Sequence, residues 1–126
     1  MTYKEAHNFL APIPIYAGEI WADLGAGDGT FAIPLSDRLG SDGKLYAVDL
    51  DQKVNRIKAK EGSAAITTIV TDFSKFQPDE KLNGILMANA LHFIKNPKLL
   101  LQKLSSHLHS NGKIVLIEYD NNIANP

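Results

Sequence analysis

The sequence predicts an α/β domain whose largely parallel sheet is covered by helices on both faces. Two observations carry this. Short runs rich in Val, Ile and Leu alternate with segments of helical character along the chain, the pattern of strands buried on both sides. A glycine-rich turn also joins the first apolar run to a helix-like segment, and a second apolar run follows about twenty residues on, closing a strand–turn–helix–strand unit.

The elements follow in order. Residues 3–10 form a short helix, which Ala11-Pro-Ile-Pro14 ends, since proline supplies no amide to continue it. The first strand spans about 19–24. A helix from about 29 to 39 follows, with Pro34 in its early turns and Gly40 as its stop. Asp42-Gly43 turns the chain into the second strand, 44–49. Residues 51–60 read as a surface helix with Val54 and Ile57 facing inward. Ala64 to Val70, rich in Ile, Thr and Val, is the third strand. Residues 72–81 contain Pro78 and read as irregular. Ile85-Leu-Met-Ala88 is the fourth strand. Asn96-Pro97 caps a helix running to about 109, with Leu100, Leu104 and Leu108 on one face. Asn111-Gly112 turns into the fifth strand, Lys113 to Glu118.

A chain of 126 residues with 44% apolar content reads as one globular domain over 1–126. The net charge of −1 and the absence of Lys/Arg runs argue against nucleic-acid binding. No stretch is long enough to span a bilayer. The segment Met1 to His7 carries an early acid and no apolar core, unlike a signal peptide. With no cysteine there is neither disulfide nor thiolate chemistry, and a cytoplasmic location is expected.

The chemistry concentrates at residues 20–30, Ile-Trp-Ala-Asp-Leu-Gly-Ala-Gly-Asp-Gly-Thr. Glycines let a backbone turn sharply and approach a ligand. An acid at the tip of the second strand, Asp49, can accept two ribose hydroxyls. A dinucleotide fingerprint spaces its glycines Gly-x-Gly-x-x-Gly and faces a pyrophosphate. Here the spacing is Gly-x-Gly-x-Gly, with Asp23 two residues before the first glycine, which suits a ligand carrying an ammonium and a sulfonium.

Asp23-Leu-Gly25-Ala-Gly27-Asp-Gly29 resembles motif I of the class I S-adenosylmethionine-dependent methyltransferases, and Ile85-Leu-Met-Ala-Asn-Ala-Leu-His-Phe-Ile94 resembles their motif IV. The resemblance covers about residues 19–119. It implies a Rossmann-like three-layer fold with strand order 3-2-1-4-5, here lacking the usual last two strands. It implies S-adenosylmethionine as cofactor, S-adenosylhomocysteine as product and a small-molecule acceptor. Carried over by position, Asp49 and its neighbour Leu50 hold the ribose side. Asp23 holds the methionine end, and the loop amides of Gly25, Ala26 and Gly27 lie near the ligand carboxylate. Asp72 and Phe73 meet the adenine, and Asn89 offers an oxygen near the sulfonium.

Other residues are less determined. His92 is of a residue type suited to a general base, yet a histidine there more often packs against the next helix, so no catalytic residue is assigned. Glu118 and Tyr119 end the fifth strand where substrate would enter. Tyr3 and His7 are placed to cap the cofactor from the first helix. His107 and His109 lack an acid or cysteine partner, so a helix-dipole role is simpler than a metal site. The fifth strand is apolar on both faces and unguarded, which predicts a covered edge, by a homodimer or by the tail after Asp120. Three functional classes fit: a methyltransferase, a non-catalytic S-adenosylmethionine-binding module or fragment of a longer enzyme, and a nicotinamide-dependent oxidoreductase. The glycine spacing and Asp23 disfavour the last.

Overall fold

The computed structural model describes residues 1–90 and 94–119. Its sheet has the order β3-β2-β1-β4-β5, built from β1 (Ile20–Leu24), β2 (Lys44–Asp49), β3 (Ala65–Val70), β4 (Leu82–Ala88) and β5 (Leu108–Ile117). Every neighbouring pair is parallel. The helices are α1 (Tyr3–Leu10), α2 (Ala32–Leu39) and α3 (Pro97–Ser105). No helix among the described residues is long and apolar enough to cross a membrane.

The two-residue period of the strands sorts the core into two layers. Trp21, Leu45, Ala47 and Leu86 face α1 and α2, packing on Leu10, Leu35 and Leu39. Ala22, Leu24, Tyr46, Val48, Ile85 and Met87 face the opposite way, onto Phe76, Leu100 and Leu104. Gly84 makes one of these layers possible. It pairs with Trp21 across the β1–β4 ladder, and a Cβ there would lie 2.4 Å from the indole ring. Its neighbour Asn83 accepts the Ile20 amide at 2.8 Å.

The local signals explain most ends. Thr2 and Glu5 form a reciprocal capping box at the start of α1. Gly40, at φ 70°, ends α2. The Asn96 side chain accepts the Leu99 amide at 3.1 Å, with Pro97 at the first position of α3. Arg38 reaches back to donate to the carbonyls of Leu10, Ile13 and Ile15, which fixes the proline-broken segment against α2.

Five boundaries differ from the sequence expectation. The helix expected from about 29 begins at Ala32, because the glycine loop extends through Gly29. The surface helix expected over 51–60 is a single 3₁₀ turn, Gln52–Arg56. Val54 and Ile57 are buried as expected, but two anchors do not offset the nucleation of a longer helix, and Ile57 is already extended. β4 starts earlier, at Leu82, which pairs with Leu108. α3 stops at Ser105 rather than near 109, with the Ser105 and Ser106 hydroxyls donating to the carbonyls of Leu101 and Lys103. β5 therefore begins at Leu108, and Asn111-Gly112 sits in an irregularity of the ladder, where β4 advances from Leu82 to Gly84 while β5 advances from Leu108 to Lys113.

Candidate functional site

The carboxyl ends of β1, β2 and β4 converge on the glycine loop. Gly25, Gly27 and Gly29 all have positive φ, 87°, 57° and 92°, a region that side chains resist. The Gly25 and Ala26 amides both donate to the Val48 carbonyl, at 2.7 and 2.9 Å, so the loop is drawn over the end of β2. A Cβ on Gly25 would stand 3.4 Å from that of Ala90, narrowing the opening between β1 and β4.

Two cavities share this corner. One, of about 270 Å³, is lined by Gly25, Asp49, Leu50, Phe73, Asn89 and Ala90. The other, of about 160 Å³, is lined by Asp23, the loop from Gly25 to Asp28, Phe31 and Tyr119. Both also touch Ala88. The fold thus brings Asp23, Gly25, Ala26, Gly27, Asp49, Leu50, Phe73 and Asn89 to two adjoining spaces at the switch point beside β1, where ligands bind in such sheets. Leu50 is 68% exposed, an apolar side chain at a cavity mouth.

Asp23 is only 1% exposed, and its Oδ2 is buried without a hydrogen-bond partner among the described residues. Burial first, then the nearby Asp49 carboxylate, pushes its pKa up to about 7. Asp49 is already engaged. Its Oδ2 accepts the Gly27 amide at 2.7 Å and its Oδ1 accepts the Asp51 amide at 2.9 Å. Each carboxylate oxygen has two lone pairs, so these bonds shape Asp49 for a further donor rather than exhausting it.

Asp72 behaves differently. Its side chain accepts the Ser74 amide at 2.9 Å and caps the 3₁₀ turn Phe73–Lys75, and that bond holds its carboxyl below the usual range. It lines a neighbouring cavity of about 520 Å³ with Leu99, Leu100 and Lys103, while Phe73 faces the cleft with Asp49. Asn89 has a left-handed backbone, φ 53°. Its Oδ1 accepts the Tyr119 amide at 2.7 Å.

The remaining candidates scatter. Tyr3 donates its hydroxyl to Asp37 at 2.7 Å and stacks on His7. It lines a separate cleft with Asp28, Gly29 and Thr30. The residue of α1 that reaches the site's edge is Phe9, which packs on Phe31 and Tyr119. Phe31 and Phe9 were missed in the sequence, and only the position of Phe31 directly after the glycine loop hinted at it. Glu118 is exposed at the end of β5. His107 lies beyond α3 and His109 within β5, which removes the helix-dipole reading. Burial, then Lys103 and Lys81, lower the His107 pKa and favour its neutral form. His92 and the tail after Asp120 lie outside the described residues.

The arrangement fits an adenosyl ligand with a cationic amino-acid end. An orphaned buried carboxylate faces one cavity, and apolar walls line the other. Among solved structures, the chain resembles coclaurine N-methyltransferase, in a complex with N-methylheliamine and S-adenosylhomocysteine, at a TM-score of 0.76 and 19% identity, over 90% of this chain and 34% of that one. It resembles a SAM-dependent methyltransferase from Aquifex aeolicus at a TM-score of 0.71 and 22% identity, over 92% of this chain and 64% of that one. A curated relative, the uncharacterized protein MJ1123 of Methanocaldococcus jannaschii, is 29% identical over 94 residues, 75% of this chain and 42% of its own length. The chain therefore spans less than two thirds of each of these proteins. The methyltransferase-domain family matches residues 2–126, and with the sheet order and the loop geometry in agreement, this chain belongs to that family.

Proposed function

We propose that this chain binds S-adenosylmethionine and directs methyl transfer to a small-molecule acceptor. The observation that carries the reading is Asp23, a fully buried carboxylate with an orphaned oxygen, beside a glycine loop held by Asp49. Asp23 would take the ammonium of the methionine end, and the Gly25–Gly27 backbone its carboxylate. Asp49 would accept the ribose hydroxyls. Leu50 and Phe73 would wall the adenine, and Asp72 would reach its amino group only from the neighbouring cavity's rim.

When bound, the cofactor supplies an electrophilic methyl group. The protein's share is to align an acceptor against it and exclude water. Buried Phe31 and half-buried Tyr119 supply an apolar wall for this on the Asp23 side. No described side chain is needed as a base for an acceptor that is already nucleophilic at neutral pH.

Isothermal calorimetry with S-adenosylmethionine, S-adenosylhomocysteine and NAD tests the binding. Both adenosyl compounds should bind and NAD should not; NAD binding without response to either would refute the reading. Formation of S-adenosylhomocysteine with a panel of amine, hydroxyl and thiol acceptors then separates an enzyme from a binding module.

A further inference from the structure

Asn89 lines the cavity that holds Asp49, directly after Ala88, which both cavities touch, and its side chain is committed to the protein rather than to open space. Ala88 and Ile117 are the last paired residues of β4 and β5. Just beyond them the Asn89 amide donates to the Ile117 carbonyl at 2.7 Å, and the Asn89 Oδ1 accepts the Tyr119 amide at 2.7 Å. The side chain thereby replaces the ladder bond that the departing strands no longer provide. It does so from a left-handed backbone, φ 53°, a conformation that asparagine tolerates better than most residues. A local strain of this kind persists where surrounding structure over-determines it.

What the bond holds is an aromatic cluster. The Tyr119 ring centroid lies 6.1 Å from that of Phe31 and 5.9 Å from that of Phe9, and Phe9 and Phe31 are 6.2 Å apart. The three rings come from β5's end, from the residue before α2 and from α1. Tyr119 and Phe31 line the cavity that also holds Asp23. Without a fixed amide at residue 119, nothing in the β4–β5 ladder sets where that ring stands.

We propose that Asn89 is a positioning residue: through the Tyr119 amide it fixes the Tyr119 ring as the aromatic wall of the cavity that takes the methionine end of the cofactor. This rests on the reading of the cleft as an S-adenosylmethionine site. It assigns the Asn89 oxygen to the protein, and makes its effect on the ligand indirect.

A double-mutant cycle read by calorimetry with S-adenosylhomocysteine tests it. Asn89→Gly keeps the left-handed backbone accessible and removes only the side-chain acceptor. Tyr119→Leu keeps the amide and the apolar packing but removes the ring. Each single variant should weaken binding roughly three- to tenfold, the range of one lost hydrogen bond or packing contact. The double variant should be no weaker than the worse single one, because Asn89 has nothing left to position. Losses that multiply would overturn the inference while leaving the cofactor reading intact. No binding by the unsubstituted protein would overturn that reading, and the inference with it. Hydrogen exchange of the Tyr119 amide checks the same point without a substitution. The amide should stay protected when S-adenosylhomocysteine is added; protection lost on binding would show that Asn89 turns to the ligand instead.

Discussion

Replacing Asp23 with asparagine should stabilise the fold and weaken ligand binding, and the stabilisation should depend on pH. In the native protein the carboxyl sits at 1% exposure with its pKa raised from 3.8 to about 7. Between those values the folded chain holds a proton that the unfolded chain has lost. Stability from this group is therefore full below about pH 4 and falls as pH rises toward 7. The interval corresponds to roughly 4 kcal/mol at most, at about 1.4 kcal/mol per pH unit. Two other contributions surround this window. Asp72 and Glu80 are held low by their hydrogen bonds to Ser74 and Lys44, and those effects are complete above the ordinary carboxylate range. His107, lowered by burial, gains stability with rising pH near neutrality, but it does so in parent and variant alike. Urea unfolding of both proteins at pH 5 and pH 8 thus isolates Asp23 as a difference. The Asp23→Asn variant should gain over the parent on going to pH 8, and should bind S-adenosylhomocysteine more weakly. A gap that does not change with pH would refute the argument from burial. In the parent, affinity should rise from pH 5 toward 7 as Asp23 gives up its proton to meet a ligand ammonium.

Three further outcomes are expected. Asp49→Ala removes the acceptors of the Gly27 and Asp51 amides as well as the proposed ribose partner. It should weaken cofactor binding by roughly 1.5–3 kcal/mol, and also lower the urea midpoint; unchanged affinity in calorimetry would end the ribose assignment. Gly84→Ala pushes a methyl into the Trp21 ring at 2.4 Å, and should cost about 1–3 kcal/mol as overpacking; in a Trp21→Val background, itself destabilised, the same change should cost less, as urea unfolding of the four proteins of the cycle would show. Among the described residues β5 pairs only with β4, and Leu116 is exposed. Light scattering should show a dimer through this edge; a monomer whose amides at 114–117 exchange freely would argue against it.

The sheet was legible because its signals are local and repeated. The unbroken apolar runs Leu45 to Val48 and Ile85 to Met87, buried on both faces, need no partner to be read, and the glycine loop with Asp23 and Asp49 marked the switch point. What escaped reading depends on tertiary pairing. Leu82 reads as loop until Leu108 is set beside it. Gly84 reads as a flaw in a strand until Trp21 lies across it. The segment 51–60 has helical spacing but too few buried positions to hold a helix. At the site, Asp49 and Asp72 are both acids after strands, and composition cannot tell them apart. Only the fold shows Asp49 on the cleft and Asp72 folded onto its own turn.

A common feature of the site follows from these assignments. Asp49 holds the Gly27 amide, Asp72 the Ser74 amide and Asn89 the Tyr119 amide. Three polar side chains expected to meet a ligand each brace a backbone amide. A carboxylate or amide oxygen can accept two donors, so a ligand need not break these bonds to use the same residues. The energetic consequence is preorganisation: the glycine loop, the 3₁₀ turn and the end of β5 are already fixed, and less conformational entropy is lost on binding. Asp23 is the exception, its Oδ2 having no hydrogen-bond partner among the described residues. Its interaction is left for a ligand to supply, and its charge state should therefore report directly on whether the cleft is filled.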